Sequence, residues 1–246
     1  MSAAKIPTPV LNEIESRIQS LDWQQIEASL HSSGWAKIGP VLTTEECSAL
    51  SELYSNDQLF RSRIIMERYR FGLGEYKYFA YPLPPMVEEL REFLYPHLAG
   101  VANEWAAKLG DKVEYPATHQ QFITHCHARG QKRPTPLMLR YEHGGYNCLH
   151  QDLYGEVYFP LQTVFMLDRP GKDFTGGEFV LVEQRPRAQS AAQVIAPQQG
   201  EGVIFTTRWR PVQGARGYYR VNIKHSVSPV TSGVRHTLGI VFHDAE

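Results

Sequence analysis

From Pro136 onward the chain alternates short runs rich in β-branched and aromatic residues with glycine-bearing turns, at 137–142, 157–167, 178–184, 202–207, 218–225 and 235–243. Short strands at this spacing predict a β-sandwich or barrel. The residues before Pro136 carry a different pattern. Leu11, Ile14, Ile18 and Leu21 form an amphipathic helical stripe, and Asp22 can cap a second helix bearing Trp23, Ile26 and Leu30. Residues 34–38 read as a short strand. Thr43 and Glu46 form a candidate capping box for a helix over 45–54. Residues 61–79 read as a hairpin turning at Gly72 and Gly74. Further helices are expected over 86–95, 97–109 and 117–129. The expected fold is α+β: a mostly helical part, 1–135, packed on a double-stranded β-helix (jelly roll), 136–246. No Pro/Gly/Ser linker separates the halves, so 1–246 is expected to be one unit.

Composition excludes several classes. At 42% hydrophobic and 21% charged, the chain is not disordered. Lys and Arg total 25 against 26 Asp and Glu, so global basicity gives no argument for nucleic-acid binding. No apolar run approaches the roughly 18 residues of a membrane span, and MSAAKIPTPV has no apolar core of a signal peptide. Cys47, Cys126 and Cys148 cannot all pair within one chain, and none forms a CxxC. Reduced thiols in a cytoplasmic protein are expected.

His150-Gln151-Asp152 follows the first of the C-terminal strands, and His225 lies 75 residues beyond His150. Residues i and i+2 of an extended segment point to one side. His150 and Asp152 can therefore aim at one ion, with a histidine from a distant strand completing a triangular face. Two imidazoles and a carboxylate that leave the opposite face open are the ligand set of non-haem Fe(II) oxygenases. Arg235, ten residues after His225, shares a strand face with Thr237. A buried guanidinium beside a hydroxyl suits a small dicarboxylate, whose carboxylate the planar fork holds bidentately. His125-Cys126-His127 lacks a partner pair at zinc spacing and falls on a helix, where i and i+2 diverge.

The order His150, Asp152, His225, Arg235 resembles that of the 2-oxoglutarate/Fe(II)-dependent dioxygenases. Arg140-Tyr141-Glu142-His143-Gly144 is similar to the RYxxG lead-in of the prolyl-hydroxylase-like members. Gly176-Gly177-Glu178-Phe179 and Gly202-Val203-Ile204-Phe205 are similar to conserved turns and strands of that group. PTPLMLRY, NCLHQDLYGE, GGEFVLVEQRPR and RHTLGIVFHDA resemble a bacterial family catalogued as nucleic-acid oxygenases, akin to AlkB-type demethylases, from about Met66 onward. The resemblance implies Fe(II) held by His150, Asp152 and His225, and 2-oxoglutarate held by Arg235, Thr237 and Tyr141. It also implies O2 as co-substrate and either hydroxylation or oxidative demethylation. Asp152 argues against a halogenase, which keeps that position vacant for chloride. AlkB-type enzymes place an Asn two residues before the tyrosine and their arginine further along. Here the first position is Leu139 and the arginine stands at plus ten, closer to prolyl-hydroxylase or phytanoyl-type cores. The rival class is a catalytically dead cupin-like binding module.

Local charge bears on the substrate. Residues 202–243 hold Arg208, Arg210, Arg216, Arg220, Lys224 and Arg235 with no Asp or Glu. Residues 61–79 hold Arg61, Arg63, Arg68, Arg70 and Lys77 against Glu67 and Glu75. Aromatic residues are interleaved with both sets, a composition suited to phosphate contact and base stacking. Single-stranded or damaged nucleic acid is the expected partner, with a peptidyl or small-molecule hydroxylase of the prolyl-hydroxylase type as the alternative.

Overall fold

The N-terminal helices form where their capping residues dictate. In this computed structural model, which describes residues 11–153 and 155–246, they are α1 (Leu11–Gln19), α2 (Trp23–Ser33), α3 (Thr44–Leu53), α4 (Pro85–Leu109) and α5 (His119–Ala128). Asp22 accepts a hydrogen bond from the Gln25 N–H, and Thr43 with Glu46 closes a reciprocal capping box. The signal-peptide expectation falls on residues 1–10, outside the described residues. No helix among the described residues is long and apolar enough to cross a membrane.

One helix, α4, replaces the two expected over 86–95 and 97–109, with Pro96 inside it. Proline in a helix interior costs about 3 kcal/mol. Leu90, Leu94, Leu98 and Trp105 continue a single buried stripe across it. Each fully buried leucine contributes roughly 1.5–3 kcal/mol, which offsets the lost hydrogen bond. Trp23 also stacks on His97, one residue past the proline, at 4.0 Å.

Fifteen strands occur among the described residues: β1 (Trp35–Ile38), β2 (Phe60–Ile65), β3 (Gly72–Leu73), β4 (Glu75–Phe79), β5 (Leu137–Tyr141), β6 (Tyr146–His150), β7 (Leu161–Met166), β8 (Phe174–Gly176), β9 (Phe179–Gln184), β10 (Ala191–Ile195), β11 (Gly202–Thr206), β12 (Trp209–Gly214), β13 (Gly217–Val227), β14 (Val230–Gly233) and β15 (Arg235–Val241). The larger sheet runs β1-β11-β7-β15-β5-β4-β2, and the second runs β10-β9-β13-β6-β3 with β12 beside β13. The two sheets face each other as a double-stranded β-helix. The larger sheet's outer face packs on the helices.

Strand alternation sorts the residues between these layers. β7 sends Leu161 and Phe165 into the helix-side core, with Leu238, Ile240 and Leu94. Its Val164 packs in the inter-sheet cluster with Phe179, Leu181, Phe205 and Ile223. Arg91 of α4 ties the helices to the chain end through a buried ion pair with Asp244 at 2.7 Å.

The division at 136 is not the structural one. β1, β2 and β4 all precede Pro136 and supply three of the seven strands of the larger sheet. β2 and β4 pair as the expected hairpin. Gly72, however, is more than a turn residue, because β3 pairs with β6.

Candidate metal centre

His150 ends β6 and faces His225 of β13 directly across the strand pair. Asp152 lies two residues beyond, just past the strand end, in extended backbone that returns its side chain to the same side. One ligand atom from each of the three lies within 4.8 Å of the others, the one such group among the described residues. His225 Nε2 is 3.2 Å and His150 Nε2 3.6 Å from the Asp152 carboxylate. The imidazole rings are 4.1 Å apart and tilted.

Neighbouring groups fix these side chains. His150 donates from Nδ1 to the Cys148 carbonyl at 2.7 Å, which leaves Nε2 with its lone pair toward the cluster. Burial, and then the adjacent His225 ring, holds the His150 imidazole below its ordinary pKa and so in the neutral, ligating form. Gln162 of β7 donates to Asp152 Oδ2 at 3.0 Å. Gln151 points the other way and bonds Asn222 Oδ1 and the Ile223 carbonyl, pinning the His-x-Asp segment to β13. Phe205 and Phe179 pack their rings against His225.

The cluster opens into a cavity of about 350 Å3, which Arg235, Thr237 and Tyr141 also line. Arg235 begins β15 directly across from Tyr141 of β5. The guanidinium is 1% exposed. Its polar contact is Thr237 Oγ1 at 3.5 Å, with the Tyr141 ring beneath at 5.5 Å, and its Nε has no hydrogen-bond partner among the described residues. No carboxylate among the described residues pairs with it. Burial accordingly pushes its pKa down. The Tyr141 hydroxyl is likewise buried, beside the Asn147 side chain. Gly177 makes room for the arginine: its φ is +65°, and a Cβ there would fall 2.8 Å from Arg235 Cδ. The site therefore joins three candidate metal donors to a buried cation and a buried hydroxyl.

Residues 74–245 match the family model described as "Oxygenase, catalysing oxidative methylation of damaged DNA". The chain belongs to this oxygenase family. The uncharacterised protein Rv2227 of Mycobacterium tuberculosis is 48% identical over 167 residues, covering 68% of this chain and 72% of the relative. A Pseudomonas putida prolyl-4-hydroxylase superposes with a TM-score of 0.55 at 15% identity, covering 91% of this chain and 99% of its own. A 2OG-Fe(II) oxygenase family protein from Burkholderia pseudomallei superposes at 0.50 and 15% identity, covering 91% of each chain. The fold is that of the 2-oxoglutarate/Fe(II) oxygenases.

The basic stretches of the oxygenase do not both flank the cluster. Arg210 is buried in an ion pair with Glu183 at 2.7 Å, and Arg220 pairs with Asp111. Arg208 lies 3.6 Å from the Trp209 ring centroid. Lys224 adjoins His225 in sequence, so strand alternation puts it on the opposite face, exposed. Of residues 202–224, Phe205 lines the metal cavity and none of the cations does. In the earlier stretch, Arg63 pairs with Glu75, and Lys77 with Asp57. Part of the positive charge counted along these segments is neutralised by acids outside them, Glu183, Asp111 and Asp57. Arg210 serves the fold and is unsuited to testing nucleic-acid contact.

Other sequence candidates serve elsewhere. His127 bonds Asp244 at 2.8 Å, and Cys126 is buried. His236 bonds Asp168 and His143 the Thr231 carbonyl. Cys148 and Asn147 both line the cavity. A larger groove of about 760 Å3, beside Trp105 and Tyr115, is lined by His125 but by none of His150, Asp152 and His225. Sequence reading overlooked Gln162. Its signal was a buried amide in an otherwise apolar strand, where it needs a specific partner.

Proposed function

We propose that this oxygenase is an Fe(II)- and 2-oxoglutarate-dependent dioxygenase acting on methylated or otherwise damaged nucleic acid, with His150, Asp152 and His225 as iron ligands. Arg235 and Thr237 would hold the far carboxylate of 2-oxoglutarate, and Tyr141 would add a hydrogen bond. The observation that carries this reading is the buried Arg235, which has no carboxylate partner among the described residues and shares one cavity with the three donors. A buried unpaired charge is expensive, and a dicarboxylate reaching it from the metal would neutralise it. The donor set, two imidazoles and one carboxylate, suits Fe(II).

With iron and 2-oxoglutarate bound, O2 supplies the oxidation of an unactivated C–H bond, and 2-oxoglutarate leaves as succinate and CO2. The protein's part is to orient and to exclude water. Gln162 would hold the Asp152 carboxylate in position as a ligand. Phe205 and Phe179 shield His225. An N-methyl group hydroxylated here would leave as formaldehyde, so demethylation and hydroxylation share the site.

Support for a nucleic-acid substrate comes from the family description. The alternative, a peptidyl or small-molecule hydroxylase, is favoured by the Arg140-Tyr141 lead-in and by an arginine ten residues after His225. The three unbonded cysteines fit a reducing, cytoplasmic setting. The pairing of β1, β2 and β4 into the larger sheet supports 1–246 as a single catalytic unit.

Succinate release across methylated oligonucleotides, peptides and metabolites tests the substrate. Stimulation by a methylated oligonucleotide is expected; stimulation by a peptide or metabolite alone would overturn the nucleic-acid assignment. Gln162→Leu tests the shell around the iron. Loss of an outer-shell partner costs roughly 10–100-fold in metal affinity, so Fe(II) titration should show a drop of that size with thermal stability kept. Unchanged affinity would remove Gln162 from the site.

A further inference from the structure

The segment Arg68-Tyr69-Arg70-Phe71 lies between β2 and β3, at the rim of the metal cavity. Tyr69 and Phe71 are 56% and 46% exposed. Their rings stack on each other with centroids 5.5 Å apart and planes within 20°. Arg68 and Arg70 are exposed too, and neither has an ion pair among the described residues, in contrast to Arg63, Lys77, Arg210 and Arg220. Glu67 is the one acid in 66–74. Arg70 takes a left-handed backbone at φ +60°, uncommon for a residue with a side chain and a mark of functional segments.

This segment is locked to the metal cluster. The Phe71 carbonyl accepts the Cys148 N–H at 2.7 Å, and the Cys148 carbonyl accepts His150 Nδ1–H at 2.7 Å. Gly72 permits the approach: with φ +143°, a Cβ there would lie 2.2 Å from the Tyr146 carbonyl oxygen. Arg70 and Phe71 line the cavity together with His150 and Asp152.

We propose that Tyr69 and Phe71, flanked by Arg68 and Arg70, form a stacking ledge that holds bases of a single-stranded nucleic acid beside the metal cavity. The proposal rests on the nucleic-acid reading above and names the surface that serves it. Two parallel exposed rings offer a face to any base, and the intervening cations match a phosphate backbone. A purely apolar peptide would leave both guanidinium groups without a counter-charge. A base must also leave its stack to reach a buried centre, and an aromatic ledge at the entrance compensates for the stacking it loses.

Fluorescence anisotropy with a labelled oligothymidylate of about 12 nucleotides and the full-length protein tests this. Tyr69→Ala and Phe71→Ala should each weaken binding on the order of 5- to 150-fold, the loss expected per stacked base. Tyr69→Phe should bind as the native protein does. Arg68→Ala should lower the salt dependence by about one phosphate contact. Lys224→Ala, which removes an exposed cation outside the cavity, should change nothing. Thermal stability should be unaffected in Tyr69→Ala, whose side chain is largely exposed, which keeps the test meaningful if Phe71→Ala fails to fold. If the native protein binds the oligonucleotide and Tyr69→Ala binds it equally well, the ledge is wrong while the nucleic-acid reading stands. If the native protein binds no oligonucleotide, ledge and reading fall together.

Discussion

Arg235→Ala is expected to weaken 2-oxoglutarate binding by about thirtyfold or more while Fe(II) binding survives. Losing one partner of a desolvated charge pair costs on the order of 2–5 kcal/mol, and Arg235 meets the condition of desolvation, at 1% exposure. Its own protein contacts are weak: Thr237 at 3.5 Å and the rings of Tyr141 and Phe174. A ligand carboxylate would therefore be its principal counter-charge. Arg235→Lys should fall between, because an ammonium keeps the charge and loses the bidentate fork. Calorimetry of 2-oxoglutarate binding, or the thermal shift it induces, reads the effect. Arg220 and Lys224 are the other cations nearest His225 in the chain. Arg220 is paired with Asp111, Lys224 is exposed on the far face of β13, and neither lines the cavity. Unchanged affinity in Arg235→Ala would thus count against a 2-oxoglutarate site in this cavity altogether.

The site was more legible than the frame that carries it. His150 and Asp152 could be paired because the two-residue period of extended chain is local, and Arg235 with Thr237 follows from the same rule. His225 could be named only as a histidine from a distant strand, and the ordered pattern of a resemblance strengthened it, since nothing local says that β13 lies opposite β6. The strands of the apolar inter-sheet core, such as β7 and β11, announce themselves by composition. β6 does not: Asn147, Cys148 and His150 give it no run of core residues, so the strand that bears a metal-ligand candidate looks like a loop. Residues 61–79 and 34–38 were recognisable as extended, yet the place of β1, β2 and β4 in the larger sheet rests on pairings such as Ile38 with Gly202 that only tertiary structure creates. Pro96 misled because its local cost is visible in sequence, whereas the continuous buried stripe that outweighs it is visible only in the packed helix. The charge runs misled for the related reason that Glu183, on β9, and Asp111, just past α4, lie far away in the chain.

Asp152→Ala should carry the largest effect of any single change. It removes the one carboxylate from the donor set and leaves two imidazoles with ring centroids 4.1 Å apart. Outer-shell changes at metal sites typically cost roughly 10–100-fold, and loss of a ligand should exceed that. Succinate release from 2-oxoglutarate should fall by more than about 100-fold, with thermal stability of the metal-free protein kept, because Asp152 lies beyond the strand and outside the core. Gln162, which donates to Asp152, would then face the cavity with its amide free to meet water. Comparison with Arg235→Ala separates the two halves of the site: the arginine variant should still bind iron, and the aspartate variant should not.

Anaerobic titration with Fe(II) and 2-oxoglutarate tests the central claim most directly, because the iron chelate of 2-oxoglutarate gives a weak visible charge-transfer band only when both are held together. The native protein should develop the band to saturation, and Asp152→Ala should show none. A fully formed band in Asp152→Ala, or its absence from the native protein, would contradict the assignment of His150, Asp152 and His225 as the iron site.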